Sequence, residues 1–197
     1  MPAKILLVGE PMELFMADRE GKLEDINKFS CAVAGAEYNV AVGLKRLKLD
    51  VGYFTKLGND PFGKFIIKDI ANNGINTDLI GISSENSTGF MLKGMKAGDP
   101  ETFYFRKNSA ASTISVEDIE KMNLTGYTWL HLTGIFPALS ESTEKAAEKL
   151  IEKARKNHMT VSFDPNLRPA LWKSEQQMIE TENKLARNCD YIFPGIK

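Results

Sequence analysis

Three groups of residues in this chain have types and spacing suited to holding a small polar molecule. The first is Gly35, Glu37 and Asn39, in the run Ala34-Gly35-Ala36-Glu37-Tyr38-Asn39-Val40. A small-residue turn leads there straight into a helix, with Val40, Leu44 and Leu47 at i, i+4 and i+7 as its expected apolar stripe. Glu37, Tyr38 and Asn39 then fall in the first turn. Free N–H groups and the helix dipole converge at such a start and favour a hydroxylated or anionic ligand. A plain glycine turn with polar caps is the simpler alternative.

The second group is Tyr104 and Arg106, which stand at i and i+2 of an alternating strand and therefore share a face. A phenol beside a guanidinium clamps a hydroxyl and a carboxylate. The alternative is a solvated strand face whose arginine lays its stem on apolar surface. The third is Asp164-Pro-Asn-Leu-Arg168-Pro, a loop stiffened by two prolines. A planar guanidinium held on a rigid loop binds a carboxylate or phosphate through two parallel hydrogen bonds. Asp164 could equally close a local Asx-type turn, with Arg168 as its ion-pair partner.

These groups must be positioned by the elements around them. Lys4 to Gly9 is an unbroken apolar run ending in glycine, the pattern of a strand buried on both faces. Strands are expected over 51–57, 129–134 and 160–163, with a last one starting at Tyr191. Helices are expected from Pro61 to about Asn73, from Ser115, over 141–157, and from Ser174 to about Asn188. Asp60 is the expected N-cap of the Pro61 helix, and Asn73-Gly74 its stop. Alternation of strands with helices predicts an α/β fold, a parallel sheet with helices on both faces. Segments of about 11–32 and 87–107 break that rhythm with strand-like pieces. Both leave near strand C-terminal ends, where open α/β sheets bind ligands, so they read as a small β lid over a pocket.

Composition narrows the possibilities. The chain has 197 residues, 43% hydrophobic and 26% charged, enough for a sizeable core. With 25 basic and 26 acidic residues, its net charge of −1 gives no reason to expect nucleic acid or an anionic membrane as partner. No apolar run reaches the ~18–20 residues of a membrane span, and Ile5 to Val8 is too short for a signal-peptide core. Cys31 and Cys189 form no CxxC, and His131 and His158 lie in unrelated segments, so neither a zinc site nor a disulfide framework is indicated. A cytoplasmic protein is expected.

The run from Gly35 to Gly63, including Gly58-Asn59-Asp60-Pro61-Phe62-Gly63, resembles the N-terminal signature of the PfkB-type (ribokinase-like) carbohydrate kinases. Phe-Tyr-Phe-Arg-Lys-Asn-Ser-Ala-Ala-Ser and Asp-Pro-Asn-Leu-Arg-Pro-Ala-Leu-Trp are similar to segments of its 2-keto-3-deoxygluconate kinases, with fructokinases next. The resemblance implies that Gly35, Asn39, Tyr104, Arg106 and Arg168 contact a sugar or sugar acid. It further implies ATP and Mg2+ for the complete enzyme, and a homodimer formed through the lid. A lid position that is often Tyr in this subfamily is Met91 here. The family's second signature, Asp-Thr-x-Gly-Ala-Gly-Asp, is absent from the sequence, as is any Walker-type run. In the family that signature supplies the anion hole and the catalytic base, so the base is expected beyond Lys197. Residues 1–197 are therefore expected to be one partial kinase domain, ending like an interrupted unit and unable to transfer phosphate alone. The alternative from another class is a non-catalytic module that binds a sugar acid or serves assembly.

Overall fold

The computed structural model describes residues 4–96 and 98–195. Strand β1 (Lys4–Val8) lies inside a six-stranded sheet of order β10-β9-β8-β1-β4-β5. Its partners are β4 (Asp50–Gly58), flanked by β5 (Ile80–Ser83), and β8 (Trp129–Thr133), flanked by β9 (Thr160–Asp164) and β10 (Tyr191–Ile192). Every pairing is parallel.

Parallel strands need crossovers, and here helices supply them on both faces. Side-chain alternation in β1 splits the core. Leu6 and Val8 join one cluster with Ala146, Leu150 and Ile151 of α4 (Glu141–Lys156) and Ile119 of α3 (Val116–Lys121). Leu185 of α5 (Glu175–Ala186) belongs to the same cluster. Ile5 and Leu7 join the other, with Tyr38 and Ala41 of α1 (Ala36–Arg46) and Ile66 and Ile70 of α2 (Pro61–Asn72). A residue period of two thus feeds two cores, as the unbroken apolar run predicts.

The strand-like interruptions form a second, four-stranded sheet of order β3-β2-β6-β7. It is built from β2 (Met12–Ala17), β3 (Phe29–Ala34), β6 (Phe90–Lys96) and β7 (Asp99–Phe105). Two antiparallel hairpins are joined by the parallel β2–β6 pair. One face of this lid packs on the start of α2: Phe15 meets Phe62 edge-on at 5.7 Å, and Phe90 stacks on Phe105 at 4.7 Å. The lid segments suggest Phe15, Phe29 and Phe103 as apolar groups outside the main core. None of the three belongs to either core cluster: Phe15 and Phe29 are half-buried within the lid, and Phe103 is 48% exposed.

Two expectations change. Helix α1 buries the stripe Val40, Leu44, Leu47 only in part, with Val40 and Leu44 half-buried against the core. Its inward face is Glu37, Tyr38 and Ala41, while Leu47 caps the end at 73% exposure. The cause is Tyr38, whose ring takes the core position while its hydroxyl donates to Asp69 at 2.5 Å and accepts from Asn73 at 3.1 Å, fastening α1 to α2. Strand β5 was not expected, because Ile80-Gly-Ile-Ser is short and carries a glycine.

Asp60 caps α2 as predicted, accepting from Gly63 N–H at 2.8 Å, and its other oxygen accepts from Thr88 N–H at 2.8 Å. Partial burial works against the charge, yet these backbone donors hold the Asp60 carboxyl below the usual range. Its stabilising contribution is therefore present above the unfolded pKa and is lost as pH falls through the lower folded value. Asp60→Ala should cost about 1–3 kcal/mol at pH 7 by urea unfolding, and the gap from wild type should close in strong acid.

Candidate functional site

A cavity of about 460 Å³ opens where the lid meets the C-terminal ends of the main strands. Gly35, Asn39, Tyr104, Arg106 and Arg168 all line it. Three separate segments are thereby brought together, with Met12, Met91 and Ile135 as apolar wall.

Gly35 is the turn into α1. Its φ of 152° is rarely adopted by side-chain-bearing residues, and a Cβ there would lie 3.0 Å from Glu10 O and 3.2 Å from Pro11 Cα. Only glycine gives this entry to the helix without strain. Asn39, four residues on, is exposed toward the opening, and its N–H bonds back to Gly35 O at 2.9 Å.

Tyr104 and Arg106 share the cavity face, as their spacing predicts, with the Arg106 Cζ 5.9 Å from the Tyr104 ring centroid. Arg106 is not a free cation. Its Nε donates to Glu10 at 2.6 Å, and Nη2 lies against the same carboxylate oxygen. Glu10, 2% exposed, also accepts from Ser109 Oγ. The sequence reading passed over Glu10. The available signal was its place one residue after Gly9, at the C-terminal end of a doubly buried strand, where ligand-binding groups collect.

Arg168 sits on the loop after β9. It donates from Nη1 to Leu167 O at 2.9 Å and to Asn166 O at 3.3 Å, is exposed, and pairs with no carboxylate among the described residues. Asp164 instead accepts from Asn166 N–H at 2.9 Å, with Asn166 at φ 39°. The Asx-turn alternative for Asp164 is the observed one, and an Asp164–Arg168 ion pair does not form.

Glu37 and Tyr38, expected beside Asn39 at the ligand, turn into the protein. Glu37 is 1% exposed and accepts from Thr133 Oγ1 at 2.5 Å, while its second oxygen has no partner. Burial pushes its carboxyl up to about 7. A helix start offers several directions, and the ones taken by residues two and three after Gly35 lead into the core. No group of three His, Cys, Asp or Glu residues among the described residues is placed to hold a metal ion. No helix of the described residues is long and apolar enough to cross a membrane.

A parallel sheet carrying a separate β lid, with a cavity between them at the strand ends, defines an α/β protein of lidded parallel-sheet architecture. The chain belongs to the pfkB family of carbohydrate kinases, whose family model matches residues 2–197. It is 42% identical over 190 residues to the 2-dehydro-3-deoxygluconokinase of Bacillus subtilis, covering 95% of this chain and 59% of that protein. The crystal structure of a PfkB protein from Polaromonas sp. JS666 superposes with a TM-score of 0.92 at 40% identity, covering 96% of this chain and 65% of that one. An uncharacterized sugar kinase from Pyrococcus horikoshii, solved in complex with ATP, superposes at 0.86 with 26% identity, covering 95% and 62%. The chain thus spans about 59% of the length of the Bacillus relative.

The buried Glu37 gives a pH signature. Its folded pKa near 7 exceeds the unfolded value of 4.5, so the native state holds the proton more tightly and stability falls as pH rises between the two. Glu37→Gln should remove that slope, gaining on wild type by on the order of 2–3 kcal/mol between pH 4.5 and 7.5. Urea midpoints of the two proteins across this range measure it. An unchanged difference would place the proton elsewhere.

Proposed function

We propose that residues 1–197 are the sugar-binding and lid portion of a cytoplasmic kinase domain. Its substrate is a sugar acid, 2-keto-3-deoxygluconate, phosphorylated at its 6-hydroxyl with ATP as donor. The observation that carries this reading is the convergence of Gly35, Asn39, Tyr104, Arg106 and Arg168 on one cavity. In it, Asn39 and Tyr104 bind hydroxyls, while Arg168 offers a guanidinium to the carboxylate. The name of the Bacillus subtilis relative favours this substrate over fructose. Met91 closes the wall with an apolar surface at a place where a phenol would add a polar contact.

The same reading assigns no catalytic residue among the described ones. Phosphoryl transfer requires a base within hydrogen-bond reach of the attacking hydroxyl and donors aimed at the developing charge. Glu37 is sealed against Thr133, and Asp164 closes its own turn. The residues around the cavity carry no Gly-rich run to cradle a phosphate and no metal cluster. ATP, Mg2+ and the base are accordingly assigned to protein outside these residues, and residues 1–197 should bind the sugar without turning it over.

Calorimetric titration of residues 1–197 with 2-keto-3-deoxygluconate and with fructose tests the binding. Arg168→Ala should weaken the acid by roughly ten- to a hundredfold, from loss of ~1.5–3 kcal/mol of charge-assisted bonding, and fructose far less. Equal losses would sink the carboxylate assignment. A coupled ADP-release assay should find no turnover, and a rate within tenfold of a complete homologous kinase overturns the division of labour.

Assembly belongs to the same reading. Strands β3 and β7 are open edges of the lid, and Phe103 and Phe105 of β7 are 48% and 49% exposed. Exposed edges of this kind are normally paired or covered, and a second lid supplies the cover. Light scattering at micromolar concentration should report a dimer, and monomer alone counts against it.

A further inference from the structure

We propose that Glu10 is a positioning residue of this site: it fixes the Arg106 guanidinium at the cavity wall and takes up its charge, leaving discrimination between acidic and neutral ligands to Arg168. The proposal rests on the reading that the cavity receives a sugar acid.

The seat of Glu10 is built from three distant segments. Its backbone lies just beyond β1, its Oε2 accepts from Arg106 Nε at 2.6 Å, and its Oε1 accepts from the Ser109 hydroxyl. The third segment is the entry to β6: a Cβ at Gly89 would stand 2.8 Å from Oε1, so glycine leaves the space that the carboxylate fills. The pair is nearly dry, with side-chain exposures of 11% for Arg106 and 1% for Glu10. Removing either partner from such a pair leaves an uncompensated buried charge, which keeps the two together.

A guanidinium carries five N–H donors in a rigid fork. Nε donates to Glu10 and Nη2 touches the same oxygen as an ion pair without a hydrogen bond of its own, while Nη1 makes no hydrogen bond among the described residues. Arg106 can therefore still donate into the cavity, but as one end of a neutral pair. A ligand carboxylate gains direction from it and little net Coulomb attraction. Arg168 differs on each count: it is exposed, it bonds only to the carbonyls of Asn166 and Leu167, and no carboxylate offsets it among the described residues. One arginine thus serves geometry and the other serves charge.

Two measurements on residues 1–197 test this. The first is hydrogen exchange at the Arg106 Nε–H by 15N NMR, assigned by its loss in Arg106→Gln. A buried, bonded Nε–H should persist at pH 7.5, and rapid exchange there overturns the clamp. The second is the ratio of the fructose Kd to the 2-keto-3-deoxygluconate Kd. Glu10→Gln keeps an acceptor for Nε but unmasks the arginine's charge, so the ratio should rise about tenfold at a short, poorly screened distance. Arg168→Gln should lower it by tenfold or more. An unchanged or lower ratio in Glu10→Gln, or an unchanged one in Arg168→Gln, overturns the proposed split. Should Glu10→Gln fail to fold, wild-type exchange and the Arg168→Gln ratio still decide. Failure of the wild type to bind either sugar overturns the functional reading and the charge split with it, whereas Nε–H exchange judges the clamp separately. A purely structural ion pair would move affinity for both sugars together and leave the ratio where it was.

Discussion

The contact on which the rest of the site depends is the buried pair between Glu10 and Arg106. It is the point where the two sheets are chemically joined: Glu10 continues from the central strand of the main sheet, and Arg106 leaves the last strand of the lid. Burying both charges carries a desolvation cost that is recovered only with good geometry and satisfied neighbours. The Ser109 hydroxyl helps meet that demand. Because the pair tolerates little displacement, the lid strand that carries Tyr104 is held in register over the ends of β1 and β8, and the cavity wall has a fixed shape.

Around that join, polar groups are sorted by burial. Glu10 and Glu37 lie close in space and are both almost fully buried, but one has a cation and the other a hydroxyl from Thr133. Burial pushes the Glu37 carboxyl up to about 7, with the Thr133 hydroxyl working against that rise. The Tyr38 phenol is driven above its ordinary range by burial and by its bond to Asp69, so it remains a neutral fastener between α1 and α2. The polar side chains that remain on the cavity surface belong to Asn39, Tyr104, Arg106, Asn166 and Arg168.

Much of this was legible in the sequence. Apolar runs ending in glycine marked β1 and β8, and Asp60, Ser115 and Ser174 lie where their helices begin. The i, i+2 spacing placed Tyr104 and Arg106 on one face, and the prolines around Arg168 marked its loop. Pairings between distant segments were hidden. Nothing local says that Leu14 lies beside Met91, or that the charge of Arg106 is met by a residue 96 positions earlier. The α1 stripe misled because hydrophobicity alone ranks Leu47 above Tyr38. A tyrosine with a hydrogen-bond partner can fill a core, and a leucine at a helix end has no core to fill.

The position of β1 also has a consequence for how the chain is made. It leaves the ribosome before both of its sheet partners, residues 50–58 and 129–133. At about 5–20 residues per second, the edge that pairs with β8 stays open for on the order of ten seconds after β1 emerges. During that interval Ile5 to Val8 is an uncovered strand of high apolar content, the kind of segment that nascent chains recruit chaperones to shield. The lid imposes a similar delay, since β2 cannot join β6 until residue 90 and beyond are synthesised. Productive folding of this protein is therefore paced by translation of its middle third, and slow codons before residue 133 would lengthen the exposure rather than help the domain to form.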